Sequence, residues 1–180
     1  LILGLTIMSA KFYAYYLTDS ITILSDALES IVNIIAGGLG LYSLYLSSKP
    51  RDFDHPYGHG KVEFITSAIE GTMIIVAGGM IIYKSVNSYF NPHPIQDLGL
   101  GIILIAISGI INYVLGAVAV NKGKKKHSLA LESSGVHLKT DAYTTLGILL
   151  GLLLIYFTKI QILDSIIAFF IALFIIYHGY

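Results

Sequence analysis

Residues 98–120, Leu-Gly-Leu-Gly-Ile-Ile-Leu-Ile-Ala-Ile-Ser-Gly-Ile-Ile-Asn-Tyr-Val-Leu-Gly-Ala-Val-Ala-Val, contain no charged side chain and lie between Asp97 and the run Lys122-Gly123-Lys124-Lys125-Lys126. The hydrocarbon core of a bilayer is about 30 Å thick, and a helix advances about 1.5 Å per residue, so roughly 20 such residues cross it. This stretch is long enough and apolar enough to span. Five more stretches, with this one at 97–121, divide the chain at 1–17, 20–47, 63–90, 128–157 and 161–180. The breaks between them are Thr18-Asp19-Ser20, the Pro- and Gly-bearing run from Ser47 to Gly60, Asn91-Pro92-His93-Pro94, the lysine run, and Thr158-Lys159. None is long enough to be a domain. The expected fold is all-α and integral to the membrane, with six transmembrane helices.

Composition agrees: 55% of the 180 residues are hydrophobic, 12% are charged, and mean hydropathy is +0.76. Eleven basic side chains balance eleven acidic ones, so no charge excess points to nucleic acid. The chain has no cysteine, which removes disulfides, thiolate metal sites and cysteine nucleophiles. Any bound metal must be held by nitrogen and oxygen. The chain begins at Leu1 inside an apolar run, so a fragment of a longer protein with a truncated N-terminus is expected. Lys49, Arg51 and Lys61 fall in the second connector and Lys122, Lys124, Lys125 and Lys126 in the fourth, whereas the first has none and the fifth only Lys159. Basic residues stay on the cytoplasmic side, so both ends of the chain are expected in the cytoplasm, and the expected location is the cell (inner) membrane, as a multi-pass protein. Glycines at 37, 38, 40, 78, 79, 147 and 151 are expected to let helix backbones approach.

A carboxylate at a helix centre costs about 2.5–3.5 kcal/mol on insertion scales, so each one needs a partner or a function. In the second stretch Asp26, Glu29 and Asn33 stand at i, i+3 and i+7, and in the fifth His137 and Asp141 stand at i and i+4. Each set lies on one helix face. Facing each other, Glu29, Asn33, His137 and Asp141 would offer four donors to a tetrahedral ion, and imidazole with carboxylate suits zinc, then iron, cobalt or manganese. A histidine beside carboxylates also binds protons near neutral pH, so metal and proton would compete for the site. The alternative is a buried hydrogen-bonded network without metal. Asp26 is expected to be a capped, solvated residue rather than a vestibule group, and Lys139 to snorkel to headgroups. Glu63, Glu70 and Glu132 read as helix-start charges or ion-pair partners, and His93, His127 and His178 as isolated. In the second connector, Asp52, Asp54, His55 and His59 fall within eight residues and are either a second metal site or a solvated Pro/Gly turn.

The six stretches, the polar pairs of the second and fifth, and the loop His-Pro-Tyr-Gly-His-Gly-Lys-Val-Glu at 55–63 together resemble the cation diffusion facilitator family of metal/proton antiporters. The resemblance covers essentially the whole chain. It implies a transport site at Glu29, Asn33, His137 and Asp141, a bundle of helices 1, 2, 4 and 5 with 3 and 6 as a separate pair, and a second ion at Asp52, His55 and His59. It also implies export of a divalent cation, zinc first, in exchange for protons, no resident cofactor, and a homodimer in the full-length protein. Members commonly have His or Asp where Glu29 stands and Asp where Asn33 stands, and they continue into a cytoplasmic domain that is expected to be missing from residues 1–180. The alternatives are a transporter of manganese, iron, cobalt or cadmium on the same fold, an intramembrane metal-dependent enzyme using metal-activated water, and a haem-binding electron carrier. No His-Glu-x-x-His or phosphate-binding Gly-x-x-x-x-Gly-Lys-[Ser/Thr] motif occurs.

Overall fold

A computed structural model describes residues 2–49, 59, 61–92, 94–127 and 129–179. Among them the chain forms six helices and no strand: α1 (Ile2–Thr18), α2 (Ile21–Ser47), α3 (Val62–Phe90), α4 (Leu98–Lys126), α5 (Leu129–Thr158) and α6 (Ile162–Gly179). The hydropathy segments match these within a few residues, except that α4 runs on through the lysine run to Lys126. Helices α2 to α5 each have the length and apolarity to cross a membrane, whereas α1 and α6, at 17 and 18 residues, are shorter.

Contacts close α1, α2, α5 and α4 into a ring, each touching the next. Helices α3 and α6 pair with each other and lean on α2, with α6 also touching α5. The bundle of four and the separate pair are therefore as expected. Each unit has its own apolar centre. Ala14, Ile23, Ile105, Ile148, Leu152 and Ile155 fill the ring, and Ile21, Ile81, Ala168 and Ala172 join α2 to the α3/α6 pair. Large apolar side chains such as Tyr16, Phe64, Tyr83, Phe90 and Phe157 point outward, while Lys11, Ser25, Asp26, Ser108, Asn112, Thr145 and Asp164 are buried. Such an arrangement suits hydrocarbon, which accepts an apolar exterior and forces polar groups to find partners inside.

The α1–α2, α3–α4 and α5–α6 connectors gather at one end. There the backbone N–H of Gln96 donates to the Thr18 carbonyl (3.1 Å) and Ser20 Oγ donates to Asp164 Oδ1 (2.6 Å). Asp19 and Lys159 reverse the chain in the left-handed region (φ 54° and 57°), their N–H groups bonded to the carbonyls of Tyr15 and Ile155, so tight C-caps form without glycine. Asp164 also accepts from the N–H of Ile21 on Oδ2 (2.6 Å) and from that of Thr22 on Oδ1 (3.2 Å). One carboxylate of α6 thus satisfies orphan donors at the start of α2. We call this the lysine-poor end. The opposite, lysine-rich end carries the α4–α5 connector, where Glu132 pairs with Lys124 at 3.9 Å, as expected for a helix-start charge.

Glycines act elsewhere than expected. Gly37, Gly38, Gly40, Gly79 and Gly147 have open space where a Cβ would stand, so they make no close approach; Gly78 meets Ile176 and Gly151 meets Ile167. The tight seam is α4 against α5. A Cβ on Gly116 would lie 2.8 Å from the Gly135 carbonyl oxygen, one on Gly135 2.6 Å from Val120 N, and one on Gly123 2.6 Å from Glu132 N. Gly109, Gly116 and Gly123 recur every seventh residue, the spacing that keeps one face of a helix against a neighbour.

Candidate functional site

Helix periodicity puts Asn33 on the inner face of α2 and Asp141 on that of α5, and the two helices touch where these residues meet. Asn33 Nδ2 donates to Asp141 Oδ2 at 2.9 Å. His137 Nε2 lies 3.8 Å from the same oxygen, across one turn of α5. The Asp141 side chain is 13% exposed and that of His137 57%, so the cluster has a dry side and an open side. Glu29 lies one turn along α2 from Asn33, within electrostatic reach of Asp141 and Asp26. Two of the other three expected residues, Asn33 and His137, therefore approach Asp141 Oδ2, with Glu29 one turn along α2 from Asn33. Among the described residues no three His, Asp or Glu side chains are drawn together as a ready ligand group. Asp52 and His55 lie outside the described residues. His59 is buried, and its carbonyl accepts from the N–H of Val62 at the start of α3.

Asp26 is not solvated. It is 1% exposed, and Lys11 of α1 donates to its Oδ1 at 2.8 Å, with Thr145 Oγ1 of α5 donating to the same oxygen at 3.2 Å. Among the described residues, Oδ2 of Asp26 has no hydrogen-bond partner. The spacing of intramembrane carboxylates does not reveal Lys11, although an ammonium within an apolar span is just as costly. The partner was legible: a buried Lys needs an anion, and Asp26 lies at the matching depth on the next helix. Lys139 packs on the neighbouring helix. It lies along α4, its stem against Gly116 and its ammonium 5.5 Å from the centre of the Tyr113 ring.

Charge gives the site its chemistry. When ionised, Asp26, Glu29 and Asp141 face one ammonium, Lys11, inside the ring. The deficit left is two negative charges, which one divalent cation or two protons would cancel. The available donors are carboxylate and amide oxygens with one imidazole, a set for divalent transition metals.

Over residues 1–180 the chain matches the family described as the cation efflux transmembrane domain. It is 36% identical over 165 residues to a protein of Synechocystis sp. described as an uncharacterized transporter, covering 92% of this chain and 53% of that protein. A manganese efflux system protein of Bacillus subtilis is 28% identical over 154 residues, covering 86% of this chain and 52% of the relative. A cation-efflux pump of Salmonella arizonae is 26% identical over 175 residues, covering 97% and 58%. The chain thus spans about half the length of the curated relatives it matches.

Proposed function

The chain belongs to the cation diffusion facilitator family, its whole length being a cation-efflux transmembrane domain, and from that premise we propose that it carries a divalent transition metal out of the cytoplasm in exchange for protons. Membership of a transporter family sets aside the intramembrane metalloenzyme and the haem carrier. The observation that carries the proposal is the meeting of Asn33, His137 and Asp141 at one carboxylate oxygen between α2 and α5, half open and half dry. Asp141 and Glu29 act as the charged ligands, His137 as a ligand that also takes protons, and Asn33 as a weak ligand that orients Asp141. With the lysine-rich end in the cytoplasm, the exposed His137 gives metal its approach. Metal requires deprotonated ligands, so a proton gradient drives its release.

Zinc fits the single imidazole and the tetrahedral set. Manganese is the second reading. Carboxylate and amide oxygens outnumber the single imidazole in the proposed ligand set, and one similar protein is described as a manganese efflux system protein. The test is metal uptake into proteoliposomes of the full-length protein under a pH gradient, with zinc, manganese, iron, cobalt and cadmium in parallel. His137→Ala and Asp141→Ala should each abolish flux, and collapse of the gradient should stop it. Undiminished uptake in both variants would overturn the site, and flux indifferent to the gradient would overturn antiport.

A further inference from the structure

Three layers follow one another from the Asn33–Asp141 cluster toward the lysine-poor end. One turn along α2 stands Glu29. Next comes Asp26, held by Lys11 and Thr145, with all three side chains almost wholly buried. The third layer is a cavity of about 270 Å³ lined by Tyr15, Asp19, Lys84, Asn87, Gln161 and Asp164. Tyr15 is at i+4 from Lys11, on the same face of α1 and one turn further out. The ion pair therefore separates the metal cluster from the cavity. It also ties together the three helices α1, α2 and α5, which must part if an ion is to pass between them.

A sealing role explains a feature that packing leaves unexplained. An ion pair that only joined helices would use both carboxylate oxygens, because a buried acceptor without a partner costs about 1–3 kcal/mol, more when charged. Here Lys11 and Thr145 share Oδ1, and among the described residues Oδ2 has no partner. Asp26 and Glu29, at i and i+3 on one face, can meet a single cation between them. A dication arriving from the cluster would compete with the Lys11 ammonium for the same carboxylate.

We propose that the Lys11–Asp26 ion pair is the gate on the lysine-poor side of the transport site, opened when the transported dication displaces Lys11 from Asp26, whose free oxygen then serves as the exit ligand beside Glu29. The proposal rests on the transport reading above. Opening by displacement links passage to occupancy: without a dication the gate stays shut, and with one it loses its ammonium. Thr145 is a positioning residue, holding the shared oxygen toward α5.

The test uses the full-length protein in proteoliposomes with a Ser30→Cys reporter. Ser30 shares the face of Asp26 and Asn33, on the cluster side of the gate, and residues 1–180 contribute no cysteine of their own. A membrane-impermeant thiol reagent is added to the lysine-poor side. Without metal the reporter should label slowly, and saturating zinc or manganese should accelerate labelling about tenfold or more. Lys11→Met should label as fast without metal as the parent does with it. Exchanging the charges, Lys11→Asp with Asp26→Lys, should restore protection. Should Lys11→Met fail to fold, Asp26→Asn provides the second arm, in which metal Kd stays within about threefold while maximal efflux falls at least tenfold. Equal labelling of Lys11→Met and parent, or equal loss of binding and efflux in Asp26→Asn, would overturn the gate. A parent protein that moves no metal would overturn the transport reading instead, so the two failures are distinguishable.

Discussion

The amide of Asn33 on α2 donates to the carboxylate of Asp141 on α5 across 2.9 Å, the one direct side-chain hydrogen bond between the two proposed ligand pairs. A neutral amide allows this contact without metal, where two carboxylates would repel. Asn33→Asp replaces a charge-assisted bond, a type of contact that contributes about 1.5–3 kcal/mol, with repulsion. The metal-free protein should therefore melt at a lower temperature than the parent. Bound metal gains a harder, charged ligand in exchange, so the rise in melting temperature on adding manganese or zinc should be larger than in the parent. Thermal unfolding in detergent with and without metal reads both shifts. A variant with unchanged metal-free stability and a smaller metal response would show that Asn33 and Asp141 do not share a site.

The α4/α5 seam predicts a sharp difference between glycines of similar appearance. A Cβ on Gly123 would stand 2.6 Å from the backbone nitrogen of Glu132, and one on Gly135 2.6 Å from that of Val120, atoms that move only if the helices part. Gly123→Ala and Gly135→Ala should each cost about 1–3 kcal/mol or more by overpacking. Gly40→Ala, placed in open space on α2, should cost nothing and follow the helix preference for alanine. Melting temperatures of the three variants test this ordering. If Gly40→Ala is the most damaging, the face it occupies is covered by something other than this chain.

Segment boundaries were legible because hydropathy and charge act locally: an apolar run long enough to span does so whatever surrounds it, whereas the four-and-two arrangement was implied only by the family resemblance. The two polar pairs were legible for the same reason, since i, i+3 and i, i+4 spacing fixes a shared face. What escaped depended on which helices meet. Asp164 caps α2 from far along the chain, and no spacing rule links α6 to that turn. Gly37-Gly38-Leu39-Gly40 is the densest glycine cluster, yet the tight α4/α5 seam is made by glycines at every seventh residue of α4, a pattern visible only once α5 is known to lie against it. Asp26 departs from the solvated expectation because its partner lies on another helix, although Lys11 within an apolar span is itself a signal.

The Asp164 cap can be tested by separating charge from hydrogen bonding. Its two oxygens accept from Ser20 Oγ and from the N–H groups of Ile21 and Thr22, all buried. Asp164→Ala strands these donors at the first turn of α2 and should cost at least about 2 kcal/mol. Asp164→Asn keeps one acceptor oxygen and should lose about half as much. Hydrogen exchange gives a local readout: the first turn of α2 should lose protection in Asp164→Ala while α4 keeps it. Uniform loss across all helices would mean that Asp164 supports the bundle generally rather than that turn.

A second ion at the lysine-rich mouth remains a proposal of the loop sequence, and its test is independent of the membrane site. His59 is buried beside the start of α3, while Asp52 and His55 precede it in the same connector. If these three hold an ion, calorimetric titration of the full-length protein should show two binding steps. Replacing His55 and His59 together with alanine should remove one step and leave the step lost in Asp141→Ala intact. Maximal flux should survive, because the path through α2 and α5 is untouched, while the metal concentration giving half-maximal flux should rise about threefold or more as capture at the mouth weakens. Unchanged titration and flux in the double variant would identify the connector as a solvated turn, with His59 acting only through its packing and its bond to α3.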